Sequence, residues 1–98
     1  MKYLIVTRHP ALVQYLGEIG VRGELLTHAT EDAVRGKDVV GVLPMRLACL
    51  AKSFTEVTMA VPAEYRGKEL TVDDIKRFGP ALIRYEVRKV PGDASIHS

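Results

Sequence analysis

One cysteine, no long apolar run and little net charge: each of these shortages removes a class of protein. Cys49 is the only cysteine among 98 residues, so no internal disulfide can form and nothing points to export. No apolar stretch approaches the roughly 20 residues that a membrane-spanning helix needs. Lys and Arg (14) exceed Asp and Glu (12) by only two. That excess is too small for broad binding to duplex nucleic acid, although it leaves room for a local basic site for a small anion. There is no Walker loop and no G-x-G-x-x-G. His28 and His97 have no partners at metal-ligand spacing, so neither a metal nor a cofactor is expected. The chain runs straight into a strand-like segment with no signal-peptide pattern, and a cytoplasmic location is expected.

What remains is an ordinary globular composition, 47% apolar and 27% charged. It suits one domain over residues 1–90, followed by a polar, loose tail over 91–98. The most informative stretch is Thr7-Arg8-His9-Pro10. It follows the buried, strand-like run 3–6 and precedes the helix-like run 11–19, which Gly20 closes. Proline is favoured at the first helical position. The free N–H groups of that first turn, with the helix dipole, favour an anion beyond the strand. Arg8 adds a fork for phosphate oxygens, and His9 can carry a proton.

Further along, residues 24–28 form a weaker strand candidate, and Arg35-Gly36-Lys37-Asp38 is a turn. Residues 39–43 are a second buried strand, in which Gly41 is expected to allow close approach of another backbone. Residues 44–52 read as a helix with Leu47, Leu50 and Ala51 facing the core. Val57, Met59 and Val61 alternate as in a strand. Residues 62–68 form a loop, and Thr71-Val72-Asp73-Asp74 resembles a capping box. The helix it opens carries Ile75 and Phe78 and stops at Gly79-Pro80. Residues 82–90 are the last strand, an antiparallel edge with Ile83, Tyr85 and Val87 on one side. The order β-α-β-β-α-β-α-β predicts an α/β, Rossmann-like domain: a mainly parallel sheet of about five strands with helices on both faces.

Ligands of such sheets bind at the carboxyl ends of the strands. Val6-Thr7-Arg8-His9-Pro10 and Val42-Leu43-Pro44-Met45-Arg46 are both strand–proline–helix junctions carrying an arginine. If the strands are parallel neighbours, both helix starts face one cleft. Arg8 and His9 are the candidate catalytic pair. Thr7, Pro10, Leu43, Pro44, Met45, Arg46 and Arg66 are candidate ligand contacts. Several have an ordinary alternative: Arg8 and His9 are solvated loop residues, Thr7 caps a helix, Arg46 is exposed, and Arg66 and Lys68 form a solvated basic pair.

Several segments together resemble a known family. They are Val6-Thr7-Arg8-His9-Pro10, Gly41-Val42-Leu43-Pro44, Val61-Pro62-Ala63-Glu64 with Arg66-Gly67-Lys68-Glu69-Leu70, and Asp73-Asp74-Ile75. In order and spacing they resemble the small CRISPR-associated ancillary proteins that accompany type III systems. The resemblance covers roughly residues 3–90. It implies a compact Rossmann-like fold, a homodimer, and ring-nuclease activity on cyclic tetra-adenylate that switches the antiviral response off. It maps the strand-end motif onto Thr7, Arg8 and His9, and the second junction onto Leu43, Pro44 and the residues after it. Other members often carry a small polar residue where this chain has Arg46. A ring of four nucleotides suits a two-fold dimer. Three other readings stay open. One is a protein that binds the ring without cutting it. Another is a histidine phosphatase, although Pro10 stands where that superfamily has glycine. The third is an α/β interaction module without a small ligand.

Overall fold

The computed structural model describes residues 2–91. The expected tail beyond Pro91, including His97, lies outside the described residues. Strand β1 (Tyr3–Val6) is followed by α1 (Pro10–Glu18), β2 (Gly23–Leu26), α2 (Glu31–Val34) and β3 (Asp38–Gly41). Then come α3 (Met45–Ala48), β4 (Ser53–Thr58), a single 3-10 turn (Ala63–Tyr65), α4 (Val72–Arg77) and β5 (Ala81–Tyr85). The five strands form one sheet in the order β2-β1-β3-β4-β5. Every neighbouring pair is parallel except β4–β5, which is antiparallel. The expected α/β class and the antiparallel edge are both present.

Alternation along the strands divides the core between the two faces. Ile5 and Val40 pack with Leu12 and Leu16 of α1 and Ile75 of α4. Leu4, Val6, Val39 and Phe54 pack with Val34 of α2 and with Leu47 and Ala48 of α3. Helices therefore cover both faces, as a parallel sheet with near-continuous apolar strands requires. Among the described residues no helix is long and apolar enough to cross a membrane.

Gly41 has a positive φ of 133° and lies against β1. A Cβ there would overlap the Val6 carbonyl, while the next N–H, from Val42, donates to that carbonyl at 3.0 Å. The glycine is thus the close-approach residue its position in the strand predicted. The capping box is also present: the Thr71 hydroxyl accepts from the Asp74 N–H at 3.1 Å, and Asp74 accepts from the Thr71 N–H at 3.0 Å. At the start of β3, the Asp38 carboxylate accepts from Ser53 Oγ at 2.6 Å and from Arg84 at 3.0 Å. The Ser53 hydroxyl, followed by Arg84, holds its pKa below the ordinary aspartate value.

Several boundaries differ from expectation. A helix absent from the sequence reading, α2, joins β2 to β3 and makes their connection a crossover. Its N-cap Thr30 accepts from the Ala33 N–H at 3.2 Å. The fourth strand occupies Ser53–Thr58, so it contains Val57 but starts earlier than the alternating run and ends before Met59 and Val61. Helix α3 ends at Ala48, short of Lys52, yet Leu50 and Ala51 still pack against the core. Strand β5 ends at Tyr85; its half-buried member is Leu82, whereas Ile83 and Tyr85 are each 42% exposed.

Candidate functional site

Strand β1 lies between β2 and β3, so the chain leaves it toward one side and returns on the other. Such a reversal opens a crevice at the carboxyl ends of the central strands. Here the crevice lies beyond Val6 of β1 and Gly41 of β3, which are register partners.

Thr7 fixes the exit from β1. It is buried, its N–H donates to the Leu26 carbonyl at 3.2 Å, and its hydroxyl accepts from the His9 N–H at 3.1 Å. Its first role is therefore to hold the turn, and His9, not Thr7, is the N-cap of α1. The His9 carbonyl accepts from the Leu12 and Val13 N–H groups at 3.0 and 3.2 Å. Its imidazole makes no capping bond and stands exposed. Pro10 occupies the first helical position, where its missing N–H costs nothing. The first turn of α1 carries no acidic side chain, so the positive end of the dipole is left for a ligand.

Arg8 is exposed beside His9, and its Nε donates to the Thr27 carbonyl at 3.4 Å. Among the described residues no carboxylate pairs with it. That one bond orients the guanidinium and leaves its other N–H groups for an anion. Arg8, His9, Thr7, Thr27 and Val42 line a recess of about 240 Å³. His9 and Val42 also border a second cavity, of about 400 Å³. That cavity extends over Pro10 to the loop carrying Arg66 and Lys68.

The loop is clasped to α4 through Tyr65. The Tyr65 ring meets Phe78 edge-on at 5.1 Å between centroids, and Arg77 donates to the Tyr65 hydroxyl at 3.0 Å. Arg77 is held in turn by Asp74 at 2.6 Å. This clasp keeps Arg66 and Lys68 at the cavity wall although neither is near His9 in sequence.

The structure thus gathers Thr7, Arg8, His9, Pro10 and Arg66 around one edge. The residues of the second junction part from them. Leu43 is 7% exposed and belongs to the core under α2 and α3. Pro44 is the N-cap of α3 and is exposed. Met45 and Arg46 line a different cavity, of about 490 Å³, with Cys49, Val87 and Arg88. The two helix starts lie on opposite faces of the sheet, so parallel neighbours did not bring them into one cleft. Val42 and Thr27 border the site without having been singled out in the sequence. Val42 was expected inside the second buried strand, but it lies beyond β3 and is 70% exposed. Nothing in its sequence neighbourhood marks it as exposed. Among the described residues no group of three or more His, Cys, Asp or Glu side chains could hold a metal ion.

Fold and site together define a doubly wound α/β protein with a basic recess at its switch point. Residues 4–88 match the family described as "Putative CRISPR-associated protein (Cas_VVA1548)", and the chain belongs to that CRISPR-associated family. No curated protein and no solved structure matches the chain.

Proposed function

We propose that this protein is a ring nuclease that binds and cuts cyclic tetra-adenylate, working as a homodimer in the cytoplasm to switch off type III antiviral signalling. The observation that carries the reading is the pairing of Arg8 and His9, both exposed, at the switch point beside a cavity of about 400 Å³. Membership of a CRISPR-associated family supports the biological setting.

The chemistry follows from the substrate class. Each linkage is a 3′–5′ phosphodiester beside a ribose 2′-hydroxyl, so the nucleophile is already attached. Holding that oxygen in line with phosphorus turns the RNA on itself and needs no metal. Arg8 and the backbone N–H groups at the start of α1 stabilise charge on the phosphate. His9 takes the 2′-hydroxyl proton or protonates the 5′-oxygen that leaves. The product is linear and ends in a 2′,3′-cyclic phosphate. In the dimer each subunit offers the same cleft to half of the ring.

The test is incubation of the ring with excess protein in EDTA, followed by chromatography of the products. Linear oligoadenylate with a cyclic phosphate end is expected. Intact ring that co-elutes with the protein would leave a binding protein and remove the enzyme. Failure of any cyclic oligoadenylate to raise the melting temperature would remove both.

A further inference from the structure

The cavity beside His9 has walls that a phosphate does not need. Leu12, Val57, Met59, Val61, Leu70 and Ile75 line it, and charge is confined to a few groups that include Arg66, Lys68 and Glu69. A phosphate gains nothing from apolar walls and loses hydration against them. A nucleobase fits both features, since its faces are apolar and its edges polar. The cavity also adjoins the Arg8 recess through His9 and Val42. A nucleotide with its phosphate on Arg8 and His9 would therefore carry its base over this mouth. At about 400 Å³ the cavity falls within the range of small-ligand sites.

We propose that this cavity is a purine pocket. One base of the bound ring lies against Met59 and Val61, with its phosphate on Arg8 and His9 and with Arg66 at the rim. The proposal rests on the cyclic oligoadenylate reading and adds where the base goes. It gives Arg66 a place at the base, through cation–π contact, apart from the cleaved phosphate. It also makes Val61 a determinant of affinity although it carries no charge.

The test uses a 2′-O-methyl cyclic tetra-adenylate, which binds but cannot cut itself. Val61→Trp fills the cavity and is expected to weaken binding about tenfold or more, comparable with losing a base-stacking contact. In the wild-type protein the Met59 methyl resonance should move on adding the ring, from the base ring current. The methyl signal decides the matter if Val61→Trp does not fold. Wild-type affinity in Val61→Trp, or an unmoved Met59 methyl on a protein that binds the ring, would overturn the pocket and leave the proposed function standing. A Met59 shift on raising protein concentration alone, unchanged by the ring, would assign the cavity to a second copy of the chain and overturn the proposal. No binding of the ring by wild-type protein would remove both.

Discussion

The junction after β1 and the junction after β3 start from the same ingredients: a buried strand, a proline and an arginine. They diverge at one residue. After β1 the chain spends Thr7 on holding the turn, so Arg8 and His9 are pushed outward before Pro10 begins a nine-residue helix. After β3 the corresponding step buries Leu43, Pro44 becomes the cap, and a four-residue helix follows on the opposite face. One junction exports its polar side chains to the crevice, while the other anchors a helix to the core. A shared motif at two parallel strand ends is therefore no guarantee of a shared cleft, because right-handed crossovers that run in opposite directions across the sheet put their helices on opposite faces.

Activity should show the largest difference between the two. His9→Ala is expected to slow ring cutting by about 10²- to 10⁴-fold in single-turnover assays, with a smaller effect on binding. Arg8→Ala should weaken ring binding by about tenfold or more, as loss of a charge-assisted contact does. Arg46→Ala should stay within about twofold on both measures. Equal losses at Arg8 and Arg46 would break the comparison and return both junctions to one site.

Stability should reverse the ranking. Leu43→Ala is expected to cost about 2–5 kcal/mol in urea denaturation, the range for a truncated core leucine. Gly41→Ala should cost at least about 1–3 kcal/mol, because its positive φ and the Val6 carbonyl both oppose a Cβ. Arg8→Ala should fall within about 0.5 kcal/mol of wild type.

The smallest effect lies at the other end of β3. Asp38 has a folded pKa below its ordinary 3.8. Its contribution is therefore complete above that value and is lost as the pH falls through the lower, folded pKa. Asp38→Asn should lower stability at neutral pH and flatten the acid limb below about pH 4, where the wild type loses the same contribution. An unaltered acid limb would remove Asp38 from the account of acid sensitivity.

Much of this was legible in the sequence, and the misses have physical causes. Strands β1 and β3 announce themselves as apolar runs, Gly20 and Gly79 mark helix ends with positive φ, and Thr71 with Asp74 spells out its cap. Helix α2 escaped because one turn of helix has no periodicity to detect. Its only signals were Thr30 and the acidic Glu31 and Asp32 behind it. The first half of strand β4 escaped because Ser53, Thr55 and Glu56 hide Phe54 among polar neighbours, and its burial depends on β3 lying beside it. At the site, Arg8, His9 and Pro10 were readable from local rules. Arg66 reaches the same cavity only through the Tyr65 clasp on α4, and Leu43 left the site because its side chain faces the core. Those facts belong to tertiary packing, which no single stretch of sequence encodes.

The central position of β1 has a consequence for folding order. The first strand of the chain pairs on one side with β2 and on the other with β3. The β1–β3 pairing spans the larger loop, so its closure carries the larger entropic cost. Until β3 docks, nothing places Gly41 against the Val6 carbonyl, and the floor between the two strand ends does not exist. Thr7, Arg8 and His9 therefore gain this floor only once residues through Gly41 have paired with β1. Contacts this distant slow folding, so substitutions along β3 should delay acquisition of ring binding during refolding even where they leave Arg8 and His9 untouched.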